Sequence, residues 1–124
     1  MFGPESAIQG TIMAVLQSEP KKADLQLAAV LHALSDDIRL QIVHSLAKTE
    51  EIACGYFDIP VPKSSLSHHF RVLRNAGVIT TRKEGTALLN RLRKSDLDEQ
   101  FPGLLNSVLG SLGKTGAPSN RRRS

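Results

Sequence analysis

The stretch KSSLSHHFRVLRNAGVI, residues 63–79, decides how the rest of the chain is read. Leu66, Phe70 and Leu73 recur at i, i+4 and i+7, the spacing of a helix that buries one stripe. Asn75, Ala76 and Gly77 follow, and glycine there supplies the left-handed residue on which helices commonly end. The other face offers Ser64, Ser67, His68, Arg71 and Arg74, with Lys63 and Ser65 beside them at the N-terminus. Hydroxyls and an imidazole at a helix start are short groups able to touch base edges or nearby phosphates, and arginines farther along reach the backbone. That arrangement suits a helix laid in a groove of DNA.

The flanks supply the supports such a helix needs. Ahead of it, Glu51 to Ala53 reads as a short extended piece and Cys54 to Ile59 as one or two helical turns, cut short by the prolines of DIPVP. A short helix, a tight connection and a second helix make a helix-turn-helix. After Gly77 the period changes. VITTRKEGTALLNRL has β-branched residues on one side, a Glu-Gly pair in the middle and an apolar run on the other, which reads as a hairpin with its tip at Lys83 to Thr86. Arg82 and Lys83 at that tip would extend the grip to an adjacent groove. The expected fold is mainly α with a small β-hairpin, a winged helix-turn-helix in the order α-α-α-β-α-α-β-β-α.

Three short helices are expected before residue 50. Ile8, Ile12, Val15 and Leu16 mark the first, which stops at Pro20; Leu27, Val30, Leu31 and Leu34 mark the second. Ser35 is expected as N-cap of the third, with Asp36 and Asp37 in its first turn and Ile38, Ile42, Val43 and Leu46 on its buried side. Near the other end, Ser95 with Asp98 resembles a capping box, and a last helix after Pro102 would bury Leu104, Leu105, Val108 and Leu112. This divides the chain into an N-terminal dimerisation helix over 1–22, a DNA-binding domain over 23–112 and a disordered basic tail over 113–124.

The charge is uneven in a way that agrees. Residues 1 to 60 hold four Lys/Arg against eight Asp/Glu, net −4, whereas residues 61 to 124 hold twelve against four, net +8. A concentrated positive surface suits a polyanion, most simply nucleic acid. With 124 residues, 40% hydrophobic and 23% charged, the chain fits one globular domain, and it has no apolar run long enough for a membrane span. The start, MFGPESAIQG, lacks the layout of a secretory signal, and the single cysteine, Cys54, cannot form an internal disulfide; both point to the cytoplasm. No phosphate loop, paired carboxylates or nucleophile-histidine order marks an enzyme, and no cofactor is expected.

From about Val30 to Leu112 the chain resembles the arsenic-repressor (ArsR-type) winged helix-turn-helix regulators. The likeness runs through LHALSDDIRLQIVHSL, SSLSHHFRVLRNAGVI, TTRKEG and the strand ALLNRL. It implies a homodimeric transcriptional repressor that releases its operator on a signal, with dimer contacts from residues 5–34 and 96–112. The departures concern the signal. Metal-sensing members carry Cys-Val-Cys where this chain has Ala53-Cys54-Gly55, and others place Asp and His ligands on the last helix, where DLDEQFPGLLNSVL has no histidine. The helix-turn-helix is about two residues shorter ahead of Lys63 than is usual, and Asp37 stands where the family's Leu-Ala-Asp-Pro-Thr-Arg-like motif has proline. No metal site is expected, and the inducer stays open.

The resulting expectation is a homodimeric repressor that binds double-stranded operator DNA with an inverted repeat through the recognition helix 63–76 and the wing 78–92. Its candidate contacts are Lys63, Ser64, Ser65, Ser67, His68, Arg71, Arg74, Arg82 and Lys83. Two alternatives remain: a winged-helix protein-interaction module, and a redox-responsive repressor sensing through Cys54. The latter would need a thiol activated by basic neighbours, and none is close in sequence. His69 is expected to pack beside Leu66 and Leu73, and His32 and His44 to lie on polar faces.

Overall fold

The computed structural model describes residues 19–57 and 59–115; the expected first helix, Ile8 to Leu16, lies outside them. Helix α1 (Leu27–Ala33) buries Val30 and Ala33, with Leu34 just beyond its end, but Leu27 and Leu31 stay 48% and 46% exposed. The expected stripe is thus only half covered within one chain.

Helix α2 (Asp37–Ala47) has its N-cap one residue later than expected. Asp36, not Ser35, caps it: the carboxylate accepts from the backbone N–H groups of Ile38 and Arg39 at 2.9 and 3.1 Å, while Ser35 Oγ donates backward to the His32 carbonyl. A carboxylate is also the better group at a helix's positive end. Ile42, Val43 and Leu46 are buried as expected, and so is Arg39.

Strand β1 (Ile52–Ala53) and a single 3-10 turn (Cys54–Tyr56) lead to helix α3 (Lys63–Ala76), which ends on Gly77 at φ +86°. A side chain at Gly77 would also collide with Leu25, so both conformation and space require glycine. Phe70 and Leu73 seat α3 on the core, and Phe70 meets Phe57 edge-on at 5.1 Å.

The wing is a hairpin of β2 (Ile79–Glu84) and β3 (Ala87–Leu92), closed by Gly85 and Thr86. This turn is tighter than the expected tip at Lys83 to Thr86. Gly85 takes φ +64°, the positive value that matches a two-residue turn to the twist of its strands. Arg82 and Lys83 therefore stand in β2, opposite Leu89 and Leu88. β1 pairs with β3, so the hairpin becomes a three-stranded antiparallel sheet in the order β1-β3-β2. The exposed edge of β2 is covered by Glu19, whose carboxylate accepts from Thr80 Oγ1 at 2.7 Å and Thr81 N–H at 2.9 Å.

Helix α4 (Lys94–Gln100) starts before Ser95, so the expected capping box does not form; Arg93 precedes it and pairs instead with Asp96 and the Pro20 carbonyl. Helix α5 (Leu104–Thr115) buries Leu105 and Leu112 and runs into the stretch that was expected to begin a disordered tail at residue 113. Val30, Ile42, Val43, Leu46, Leu73, Val78, Ile79, Leu97 and Leu105 form the centre of the core. Each such aliphatic side chain contributes roughly 1.5–3 kcal/mol on burial. Among the described residues, five α-helices and three strands make a winged helix, as expected.

Candidate nucleic-acid interface

Helix α3 presents two stripes that differ in what they touch. Ser64, His68 and Arg71 are spaced i, i+4 and i+7 along an exposed face, with Ser67 exposed beside them. Lys63 and Ser64 are exposed at the N-terminus and Ser65 is half-buried. Pro62 at the N-cap offers no side-chain bond to the first turn, so the positive end of the helix faces outward among hydroxyls and an ammonium group. Such a terminus suits a phosphate.

Arg74 departs from its expected position on this face. Only 7% exposed, it donates from Nη1 to Thr81 Oγ1 at 3.4 Å and is turned toward the wing. The reason is its spacing: Arg74 lies i+4 from Phe70 and i+7 from Ser67, so the packing that buries Phe70 carries Arg74 against β2. Burial pushes its pKa down, opposed by Glu19 and the Cys54 sulfur. The i+4 relation to Phe70 was the available signal.

The wing cations are also less alike than the sequence implied. Arg82 Nε and Nη2 donate to the two Glu51 oxygens at 2.7 and 3.0 Å, and Nη2 lies 2.9 Å from Glu84. The hydrogen bond with Glu51 raises the Arg82 pKa and lowers that of Glu51. Lys83 is exposed on the next residue, and Arg91 is exposed on β3 opposite Thr80.

The recognition helix is held from behind by a polar contact that pattern reading missed. Arg39 Nε donates to the Ala33 carbonyl at 2.7 Å, Nη2 to the His32 carbonyl at 3.3 Å, and Nη1 lies 3.1 Å from His69 Nδ1. A guanidinium only donates, so Nδ1 must accept and the neutral ring carries its proton on Nε2. Burial lowers the His69 pKa, Arg39 and His68 push the same way, and Asp36, 3.8 Å away, opposes. His69 is thus half-buried, as expected, but its partner is a cation. His68 faces solvent and His44 is half-buried.

Asn90 was read as part of an apolar strand, yet it is fully buried and hydrogen-bonded. It accepts from Thr81 Oγ1 at 2.8 Å and donates to the Ile52 carbonyl at 3.2 Å and to Cys54 Sγ at 3.1 Å. Among the described residues, no group of three or more His, Cys, Asp or Glu is placed to hold a metal ion, and no helix is long and apolar enough to cross a membrane.

Residues 36–81 match the family model described as bacterial regulatory protein, arsR family. The uncharacterized HTH-type transcriptional regulator YceK of Bacillus subtilis is 34% identical over 92 residues, 71% of this chain and 92% of that protein. The arsenical resistance operon repressor of Staphylococcus aureus is 33% identical over 80 residues, 64% of this chain and 77% of the repressor. In fold, the chain is similar to the transcriptional repressor BigR from Xylella fastidiosa, with a TM-score of 0.55 and 24% identity over 71% of this chain and 83% of that one.

Proposed function

Because the chain belongs to the arsR family of bacterial regulatory proteins, a family of winged-helix DNA-binding transcriptional regulators and not of enzymes, we propose that it is a homodimeric repressor of an inverted-repeat operator. One observation carries the reading. The exposed row Ser64, Ser67, His68 and Arg71 lies on a helix whose opposite side is anchored by Phe70, Leu73 and the Arg39–His69 contact. A rigidly seated helix with a short polar face is the element that reads a major groove.

In this reading Ser67 and His68 contact base edges. Lys63, Ser64, Ser65 and Arg71 contact phosphates and neighbouring bases, and Lys83, with Arg82 once it leaves Glu51, contacts the backbone beside the wing. Residues 1–22 and the last helix supply the dimer contacts. The metal-ligand positions of the family's sensors are Ala53 and Gly55 here, so the inducer is of another kind.

Binding-site selection from random duplex DNA with the purified chain tests the proposal. An enriched inverted repeat with half-sites about one helical turn apart is the expected result. Enrichment of a single half-site, or of no sequence, would overturn it.

A further inference from the structure

Two groups compete for one ring nitrogen of His69. Its Nδ1 accepts from Arg39 Nη1 at 3.1 Å, and the Asp36 carboxylate Oδ2 lies 3.8 Å from the same atom. Protonation decides between them. A neutral ring accepts from the guanidinium and leaves the carboxylate aside, whereas an imidazolium has no acceptor, repels Arg39 and donates to Asp36. Both neighbours are fixed where α1 meets α2. Arg39 is 7% exposed and is also held by the Ala33 and His32 carbonyls at 2.7 and 3.3 Å, and Asp36 is held as N-cap by the N–H groups of Ile38 and Arg39. His69 is therefore the partner that moves, and it belongs to the recognition helix packed against that junction.

Few charges face this ring. Helix α2 contributes Asp36 and Arg39, and the recognition helix itself contributes His68, whose ring centroid lies 5.7 Å away. Helix α1 presents the two carbonyls that hold Arg39, and its one titratable side chain, His32, is exposed. Strand β2 meets the recognition helix on its Arg74 side. The His69 side chain is 15% exposed, so an imidazolium there has lost most of its hydration and depends on Asp36. Burial holds its pKa below the ordinary value, Arg39 and His68 add to this, and Asp36 opposes; the ring is neutral at neutral pH and takes its proton in acid.

We propose that His69 is a pH-sensitive latch on the recognition helix: its protonation exchanges Arg39 for Asp36 as partner, shifts the helix on the core and weakens DNA binding. The inference rests on the DNA-binding reading above and names acid as a signal to which that binding responds. Closing the 3.8 Å gap to the roughly 2.8 Å of a charge-assisted bond moves the ring by about 1 Å. A shift of that size carried to Ser67 and His68 exceeds the range of about 2.7–3.2 Å over which their hydrogen bonds to base edges hold. The sign is diagnostic, because a positive charge added to this helix would by itself tighten binding to phosphates.

The test compares the full chain with His69→Asn, which keeps an acceptor toward Arg39 and cannot titrate. Affinity for the duplex enriched by the selection described above is measured by fluorescence anisotropy from about pH 7.5 to about pH 5, with circular dichroism following the fold. His68 titrates in both chains, so its effect cancels in the ratio of their affinities. The wild type is expected to lose at least about fivefold relative to His69→Asn as the pH falls. By linkage, the duplex should lower the pH at which the His69 C–H signals titrate in NMR, whereas phosphates acting by charge alone would raise it. Asp36→Asn, which keeps the helix cap but removes the negative partner, should move the loss of affinity to lower pH; if His69→Asn does not fold, this shift decides. A ratio that stays flat or favours the wild type in acid, a titration raised by the duplex, a loss that follows the circular-dichroism signal, or an unmoved loss in Asp36→Asn would each overturn the proposal. If no duplex binds even at neutral pH, the DNA-binding reading fails instead. The partner exchange is then decided by NMR, and Arg39 guanidinium signals that stand still through the His69 titration overturn it.

Discussion

Two arginines three residues apart on one helix have opposite environments. Arg71 is exposed on the outer stripe of α3, whereas Arg74 is buried against Thr81. Arg71→Ala is expected to weaken DNA binding and to flatten the slope of log affinity against log salt by about 0.9 per subunit, with the denaturation midpoint unchanged. Arg74→Ala is expected to do the reverse, costing about 1–3 kcal/mol in chemical denaturation through lost packing and an altered Thr81–Asn90 network. His69 adds a pH term. Its folded-state pKa lies below the ordinary 6.5, chiefly because burial disfavours the imidazolium. The unfolded chain then holds the proton more readily, so the His69 contribution is complete above about pH 6.5 and is lost as pH falls toward the lowered value. Urea denaturation between pH 7 and 5 should show this decline. In His69→Asn, which keeps an acceptor for Arg39 but cannot titrate, the decline should be smaller.

At the scale of elements, single carboxylates hold the start of α2 and tie the wing to the segment before β1. Asp36 satisfies two backbone donors, so Asp36→Ala is expected to lower stability by about 0.5–2 kcal/mol in thermal or chemical unfolding, while Asp36→Asn retains most of it. Glu51 ties β2 to the segment before β1 through Arg82 and in doing so neutralises a cation that DNA would otherwise meet. Glu51→Gln is therefore expected to strengthen binding to all duplexes alike and to steepen the salt slope by up to about 0.9 per subunit. Anisotropy titrations over a range of salt check this. An unchanged slope would mean that Arg82 stays on Glu84 and away from the backbone.

Over the whole molecule, the apolar surface exceeds what one chain covers. Leu27 and Leu31 are half-exposed on α1, and Leu104, Val108 and Leu109 on α5 are only partly buried. Residues 8–16 add a further apolar stripe in the sequence. A second copy of the chain is the expected cover, and light scattering at micromolar concentration should give twice the 13.5 kDa chain mass. The single-chain mass would count against the dimer. The charge asymmetry belongs to this scale too: of the second half's twelve Lys/Arg, six lie in the recognition helix and wing, residues 63–92, against the single acid Glu84.

What the amino-acid order determined by itself was whatever depends on local periodicity. The i, i+4, i+7 stripe of Leu66, Phe70 and Leu73, the stop at Gly77 and the alternation across Glu84–Gly85 were enough to specify helix, terminus and hairpin, because each answers to backbone geometry within a few residues. The outer row of Ser64, Ser67, His68 and Arg71 was legible for the same reason. The tertiary structure alone decided the partners of polar side chains. Arg74 turns inward, Arg82 is claimed by a glutamate thirty-one residues away, Arg39 finds His69, and Cys54 acquires Asn90. A long polar side chain can reach in several directions from one backbone position, and which one it takes depends on donors and acceptors that local sequence does not bring near.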